Sequence, residues 1–290
     1  MVVVTESYHD SAQDCDPRGG RAWGGGLDRG WTEGYFRRMS EHPPLLFLHG
    51  AFAGPMVWTR FIAPWFARRG HRVAVPDLPG PIDRPARLRD YVLAALEAAD
   101  ALGGRPVVVG YSLGGLVAQH LAARRRLAGL VLVASPGPMG LSPTLWRLAQ
   151  SPDVLATLLL AQAGASAFIG TQEVRRALFT EETPPEWIAS LGLPMRAESP
   201  AALFDGTAWD MPFWPLARLT PTLALQGDQD AFVPMTDLWS IACVYGAETD
   251  VMPGLAHGLP VDPAWKSLAW RINAWLSERR IGEIRRKVVT

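Results

Sequence analysis

A chain of 290 residues has room for one large domain or two small ones and can bury a sizeable core. Hydrophobic residues make up 48% of it and charged residues 19%, the balance of an ordinary globular protein. The 28 basic residues offset the 28 acidic ones, which leaves no field to draw in nucleic acid or an anionic membrane.

Residues 1–40 read as a disordered leader. Glycines at 19–20, 24–26, 30 and 34 punctuate a polar stretch without periodicity, which cannot bury enough apolar surface to offset its ordering entropy. Gly34–Arg38 is the one part that suggests a short edge strand, and Met39 is a candidate start. The N-terminus lacks a basic start followed by an apolar stretch of signal-peptide length. Cys15 and Cys243 lie far apart, so no structural disulfide is expected, and the expected location is cytoplasmic.

From Leu45 the pattern alternates between buried strands and amphipathic helices. Leu45–Leu48 is a short apolar run that ends at His49-Gly50. Trp58, Phe61, Ile62, Trp65 and Phe66 recur at helical spacing, and Val73–Val75 gives the next strand. Leu88 to Ala99 is helical. Val107–Val109 then leads into Gly110-Tyr111-Ser112-Leu113-Gly114, followed by Leu116, Val117 and Leu121 on a helix, and then by a strand at Leu130–Val133. Strands that are apolar throughout and separated by helices imply an α/β fold with a mainly parallel, doubly wound sheet covered on both faces.

The alternation stops over 136–215, which is rich in Pro, Ala, Leu and Trp and offers no strand. We read it as a helical lid inserted into one α/β core formed by 41–135 and 216–281. Val154–Gly170 carries no charge but is too short to span a bilayer, which needs roughly 20 apolar residues, so it reads as a buried helix and no stable membrane insertion is expected. Sheet logic resumes with Thr222–Gln226, a helix from Met235 to Tyr245, a strand at Thr249–Met252 and a last helix carrying Trp265 to Leu276. Residues 282–290 form a basic tail.

Gly-x-Ser-x-Gly between a strand and a helix is the pattern of a nucleophile elbow, which makes Ser112 the candidate nucleophile. A phosphate-cradling loop fits poorly, since 110–115 lacks both a Gly-x-Gly opening and a Gly-Lys-Ser/Thr. A serine hydroxyl needs a base, and the base needs a carboxylate that fixes its tautomer. The loops at the carboxyl ends of the strands are the place to look. One holds Asp228 and Asp230, the other holds His257, and the order serine, acid, histidine is the one expected of a hydrolase on such a sheet. His9, His42, His71 and His120 occupy poorer positions, while His49 and Asp77 read as loop braces. Oxyanion donors are expected from the amide of Leu113 and from the loop after Leu48, at Ala51 or alternatively Phe52.

Pro43 to about Arg280 resembles the α/β-hydrolase fold superfamily, in particular its small lidded esterase-like members. The resemblance rests on His49-Gly50, Asp77-Leu78-Pro79-Gly80, the elbow, Gly227-Asp228-Gln229-Asp230 with Pro234, and His257. It implies Ser112, Asp230 and His257 as the catalytic set, with Asp230 preferred to Asp228 because the family places its acid four residues before a proline. It also implies that no metal or organic cofactor is needed. The expected partner is a small acyl substrate, hydrophobic because 141–170 holds few charges, cleaved at a carboxylic ester through an acyl-enzyme. Lactonase, thioesterase, carbon–carbon hydrolase, cofactor-free haloperoxidase and lyase chemistry use the same residues, and a ligand-sensing protein could keep the fold without the reaction.

Overall fold

The computed structural model describes residues 2–4, 42–80, 86–192 and 195–281. Seven strands form its sheet: β1 (Val2–Val4), β2 (Leu45–Leu48), β3 (Val73–Val75), β4 (Val107–Tyr111), β5 (Gly129–Val133), β6 (Thr222–Gly227) and β7 (Glu248–Met252), in the order β1-β3-β2-β4-β5-β6-β7. β2 to β7 run parallel, and β1 pairs antiparallel with β3 at the edge, Val2 opposite Val75. This is the α/β fold expected from the alternating runs.

Side chains of successive strand residues point to opposite faces. Leu45 and Phe47 pack with Val107, Val109, Trp58, Phe66 and Trp275 on one face. Leu46 and Leu48 pack with Val108, Tyr91, Leu116 and Ile241 on the other. Helices Met56–Thr59, Ile62–Ala67 and Trp265–Glu278 cover the first face; Leu88–Leu102, Leu113–Ala122 and Met235–Tyr245 cover the second. The chain leaves β2 for β3 on one side and returns past it to β4 on the other. The crevice above β2 and β4 is therefore a topological switch point, where parallel sheets place their sites.

Several elements differ from expectation. Val2–Val4 lie in the stretch read as an unfolded leader, yet three β-branched residues in a row are well suited to the open edge of β3. The rest of that stretch, with Cys15 and the suggested strand at 34–38, and the basic tail 282–290 lie outside the described residues. The helix expected across Trp58–Phe66 is two short pieces. Pro64 has no N–H for the carbonyl of Arg60, and its ring crowds that carbonyl.

Between β5 and β6 the described residues contain helices and no strand. Ser142–Ala149, Pro152–Gln162, Pro185–Leu191 and Pro200–Phe204 each carry proline in their first turn, where its missing N–H costs nothing. Helix Pro152–Gln162 is only half-buried. Val154, Leu158 and Ala161 face inward, while Leu159 is 60% exposed, which corrects the expectation of a buried helix. No helix among the described residues is long and apolar enough to cross a membrane.

Candidate active site

Ser112 follows the end of β4 with φ 52° and ψ −124°, a strained conformation for a non-glycine residue. Its N–H is held by the Val133 carbonyl at 3.0 Å, and the helix Leu113–Ala122 starts at the next residue. The turn is closed so tightly that a Cβ on Gly114 would run into the carbonyls of Leu48 and His49, and one on Gly110 into Gly114 and Gly115. Those two glycines are required by close approach.

His257, on the loop after β7, lies with Nε2 3.1 Å from Ser112 Oγ and Nδ1 2.9 Å from Asp230 Oδ2. Its ring is held between Phe232, stacked at a centroid distance of 4.6 Å, and Tyr111 at 5.1 Å. Asp230 is buried, and its Oδ1 accepts from the N–H groups of Phe232 (2.8 Å) and Val233 (3.0 Å). Together with the histidine, these two N–H groups fix the direction of the carboxylate. Asp228, the rival acid, is exposed and spends Oδ1 on the Gly254 N–H at 2.9 Å, away from the histidine. Tyr111 is pushed above the usual phenol range by burial and by the charge of Asp230, so it stays neutral.

β2 and β4 are neighbours with Leu48 opposite Gly110, which lays the loop 49–54 against the elbow. Trp58 Nε1 donates to the Leu48 carbonyl at 3.0 Å and fixes where that loop departs. The amides of Leu113 and Ala51 have no protein acceptor among the described residues, whereas the Phe52 N–H donates to Glu198 Oε2 at 3.2 Å. His49 braces the loop as expected: it is buried, Nδ1 donates to the Gly50 carbonyl at 2.9 Å, and Nε2 accepts the Leu78 N–H at 3.0 Å. The Asp77 carboxyl beside His49 and Arg196 is held well below the usual carboxylate range. His71 and His120 instead make backbone contacts, to the carbonyls of Pro43 and Asp210. Burial lowers both, His71 to about 4.

A cavity of about 310 Å³ opens onto Ser112, Leu113 and His257. Its walls include Leu145, Leu148, Leu155, Leu158 and Met195 from the segment between β5 and β6. Trp146 and Trp209, prominent in the sequence, are 73% and 74% exposed and take no part in the lining. Aliphatic side chains from this segment share the wall with Phe52, Tyr111 and Phe232. Arg147, from the same segment, donates from Nη2 to the Asp230 carbonyl at 2.8 Å and from Nε to the Ala231 carbonyl at 3.1 Å. Neither Arg147 nor the flanking Phe232 stood out in the sequence. Phe232 had a weak local signal as the second residue after the acid; Arg147 had none. Among the described residues no cluster of His, Cys, Asp or Glu is arranged to hold a metal ion.

The strand order and the elbow define the class of hydrolases built on a parallel α/β sheet. The chain belongs to the alpha/beta hydrolase family, whose model matches residues 45–267. Among curated proteins it is similar to the pimeloyl-[acyl-carrier protein] methyl ester esterase of Aromatoleum aromaticum. The two are 37% identical over 117 residues, a match covering 35% of this chain and 46%, less than half, of that protein. The Vibrio vulnificus (strain YJ016) protein of the same name is 29% identical over 231 residues, covering 70% of this chain and 82% of its own. Among solved structures, a thermophilic esterase from Thermogutta terrifontis aligns with a TM-score of 0.63 and 25% identity, over 82% of this chain and 91% of that one.

Proposed function

We propose that this ester-bond hydrolase cleaves carboxylic esters of a small hydrophobic acyl group through an acyl-enzyme on Ser112. The observation that carries the reading is the largely apolar cavity of about 310 Å³ that ends at the Ser112–His257–Asp230 hydrogen-bond chain. Its size is at the small end of ligand pockets, which run roughly 300–1,000 Å³. The helices between β5 and β6 act as the lid over it.

His257 Nε2 takes the Ser112 proton as Oγ attacks the ester carbonyl. Asp230 keeps the other ring proton on Nδ1 and stabilises the imidazolium as it forms. The new oxyanion is received by the amides of Leu113 and Ala51, since the Phe52 N–H is already committed to Glu198. Collapse expels the alcohol, which leaves with the proton held by His257. Water, deprotonated by His257, then releases the acid and restores Ser112.

The names of the two curated relatives make methyl esters of acyl chains the first substrates to assay beside p-nitrophenyl esters of graded length. Turnover by the wild type that falls by about a thousandfold or more in Ser112→Ala supports the reading. Turnover that survives in Ser112→Ala defeats it. A panel of lactones and thioesters separates the ester reading from the related reactions.

A further inference from the structure

Phe52 stands in the loop beside the elbow with φ 58°, a left-handed conformation that a bulky residue keeps only when its surroundings hold it there. Both of its backbone groups are taken by one short stretch of the lid segment. Its carbonyl accepts the Arg196 N–H at 3.1 Å, and its own N–H donates to Glu198 Oε2 at 3.2 Å. Arg196 is anchored in turn, with Nη2 on Asp77 Oδ1 at 2.8 Å and on the Leu78 carbonyl at 3.2 Å.

Glu198 is only 2% exposed. Its second oxygen accepts the Ser199 N–H at 2.9 Å and the Tyr91 hydroxyl. Three donors thus satisfy one buried carboxylate. Tyr91 is pushed above the usual phenol range, first by its burial and then by the Glu198 charge, and remains a donor. Gln162 grips the Glu198 backbone from both sides: Nε2 donates to its carbonyl at 2.9 Å, and Oε1 accepts its N–H at 3.2 Å. Gln162 ends the helix whose Leu155 and Leu158 wall the cavity.

We infer that Glu198 is a positioning residue for the oxyanion site. By engaging the Phe52 N–H it withdraws that amide from the reaction and locks the loop so that the Ala51 N–H faces the developing charge. The inference rests on the reading of Ser112 as nucleophile. A buried carboxylate is a poor device for stability alone, since apolar packing of equal volume often serves as well. Here it supplies direction, because an oxyanion donor is effective only when it is already aligned. Glu198 touches no reacting atom and acts through Phe52.

Glu198→Gln keeps the shape of the side chain but cannot accept all three donors in either orientation. Turned toward Phe52, its amide nitrogen opposes a second N–H. The expected result with p-nitrophenyl butyrate is a kcat lowered about tenfold or more with KM within about twofold, because only transition-state contacts are disturbed. The rate of Ser112 labelling by a fluorophosphonate should fall in step. Tyr91→Phe removes a donor from the same carboxylate yet spares the Phe52 bond, and should keep kcat within about threefold at a similar loss of Tm. An unchanged kcat in Glu198→Gln, or a loss no larger than in Tyr91→Phe at equal Tm, overturns the inference. Should Glu198→Gln not fold, Gln162→Ala carries the test, with kcat expected to fall at least about threefold at constant KM. An unchanged kcat there overturns it equally. A wild type that neither labels nor cleaves any ester defeats the proposed function and this inference with it. Labelling at the wild-type rate in Glu198→Gln defeats the inference alone.

Discussion

The sheet with its loops and the segment between β5 and β6 solve different problems with different materials. All four residues of β2 are 0% exposed, and the strands around it are packed on both faces. In the helical segment Trp146, Phe168 and Trp209 are 73%, 80% and 74% exposed, and Leu145, Leu155 and Leu159 line the cavity. Ser112, Asp230 and His257 all stand on loops of the sheet, while half of the residues lining the cavity come from the segment between β5 and β6. The sheet thus fixes the atoms that would react, and the helices shape the space the acyl group would enter. Substitutions in the two regions should fail in different ways.

The largest effect is expected at the acid. Asp230→Asn leaves the shape intact but removes the charge that stabilises the imidazolium, so kcat should fall by about a thousandfold or more. Asp228→Asn should stay within about threefold, since its carboxylate is exposed and accepts from the Gly254 N–H in the turn after β7. Steady-state kinetics on one ester decides between them; the reverse ranking would break the assignment. Next comes Gly114→Ala, whose new Cβ would meet the Leu48 and His49 carbonyls. Overpacking against backbone costs about 1–3 kcal/mol or more, so Tm should drop by several degrees together with activity. This failure belongs to the sheet region.

In the helical region, Leu155→Trp should leave fold and labelling intact while shortening the cavity. The preferred p-nitrophenyl ester should move to a shorter chain, with kcat/KM on long chains down about tenfold or more, as one to two methylenes are worth in a pocket. A uniform loss across all chain lengths would blur the division of labour. The smallest effect lies behind the site. Asp237 is buried with Oδ2 unpaired, and desolvation raises its carboxyl to about 7. Its native state keeps a proton that the unfolded chain has lost between about pH 4 and pH 7. That stabilisation is present below pH 4 and fades as pH rises through 7. Asp237→Asn should therefore flatten the dependence of stability on pH and raise stability at pH 8, on the order of a few kcal/mol at most. Denaturant melts at pH 5 and pH 8 measure it.

These regional differences also explain how far the sequence could be read. The strands were legible because a two-faced sheet demands uninterrupted apolar runs, and Leu45–Leu48 or Val107–Val109 has no other explanation. The elbow was legible because a strand-to-helix turn this tight excludes side chains at Gly110 and Gly114. The order of Ser112, Asp230 and His257 followed from searching one edge of the sheet, and the structure brings those three together. Pairings across long stretches of chain left no local trace. The Phe52–Glu198 bond joins residues 146 positions apart, and the Arg147 contact with Asp230 joins residues 83 apart. The cavity wall left no distinct trace either, since Leu155 and Leu158 look like any helix interior. Pro64 is the one break that local chemistry could have supplied, since it sits where the Trp58–Phe66 helix needs an N–H.

The central claim is that Ser112 becomes acylated, and intact-protein mass spectrometry under rapid quench tests it most directly. Mixing the wild type with excess p-nitrophenyl butyrate and quenching in acid within the first turnovers should reveal one butyryl addition. Peptide mapping should place it on Ser112, and the Ser112→Ala variant should carry none. An adduct on another residue, or hydrolysis by the alanine variant at the wild-type rate, would contradict the account.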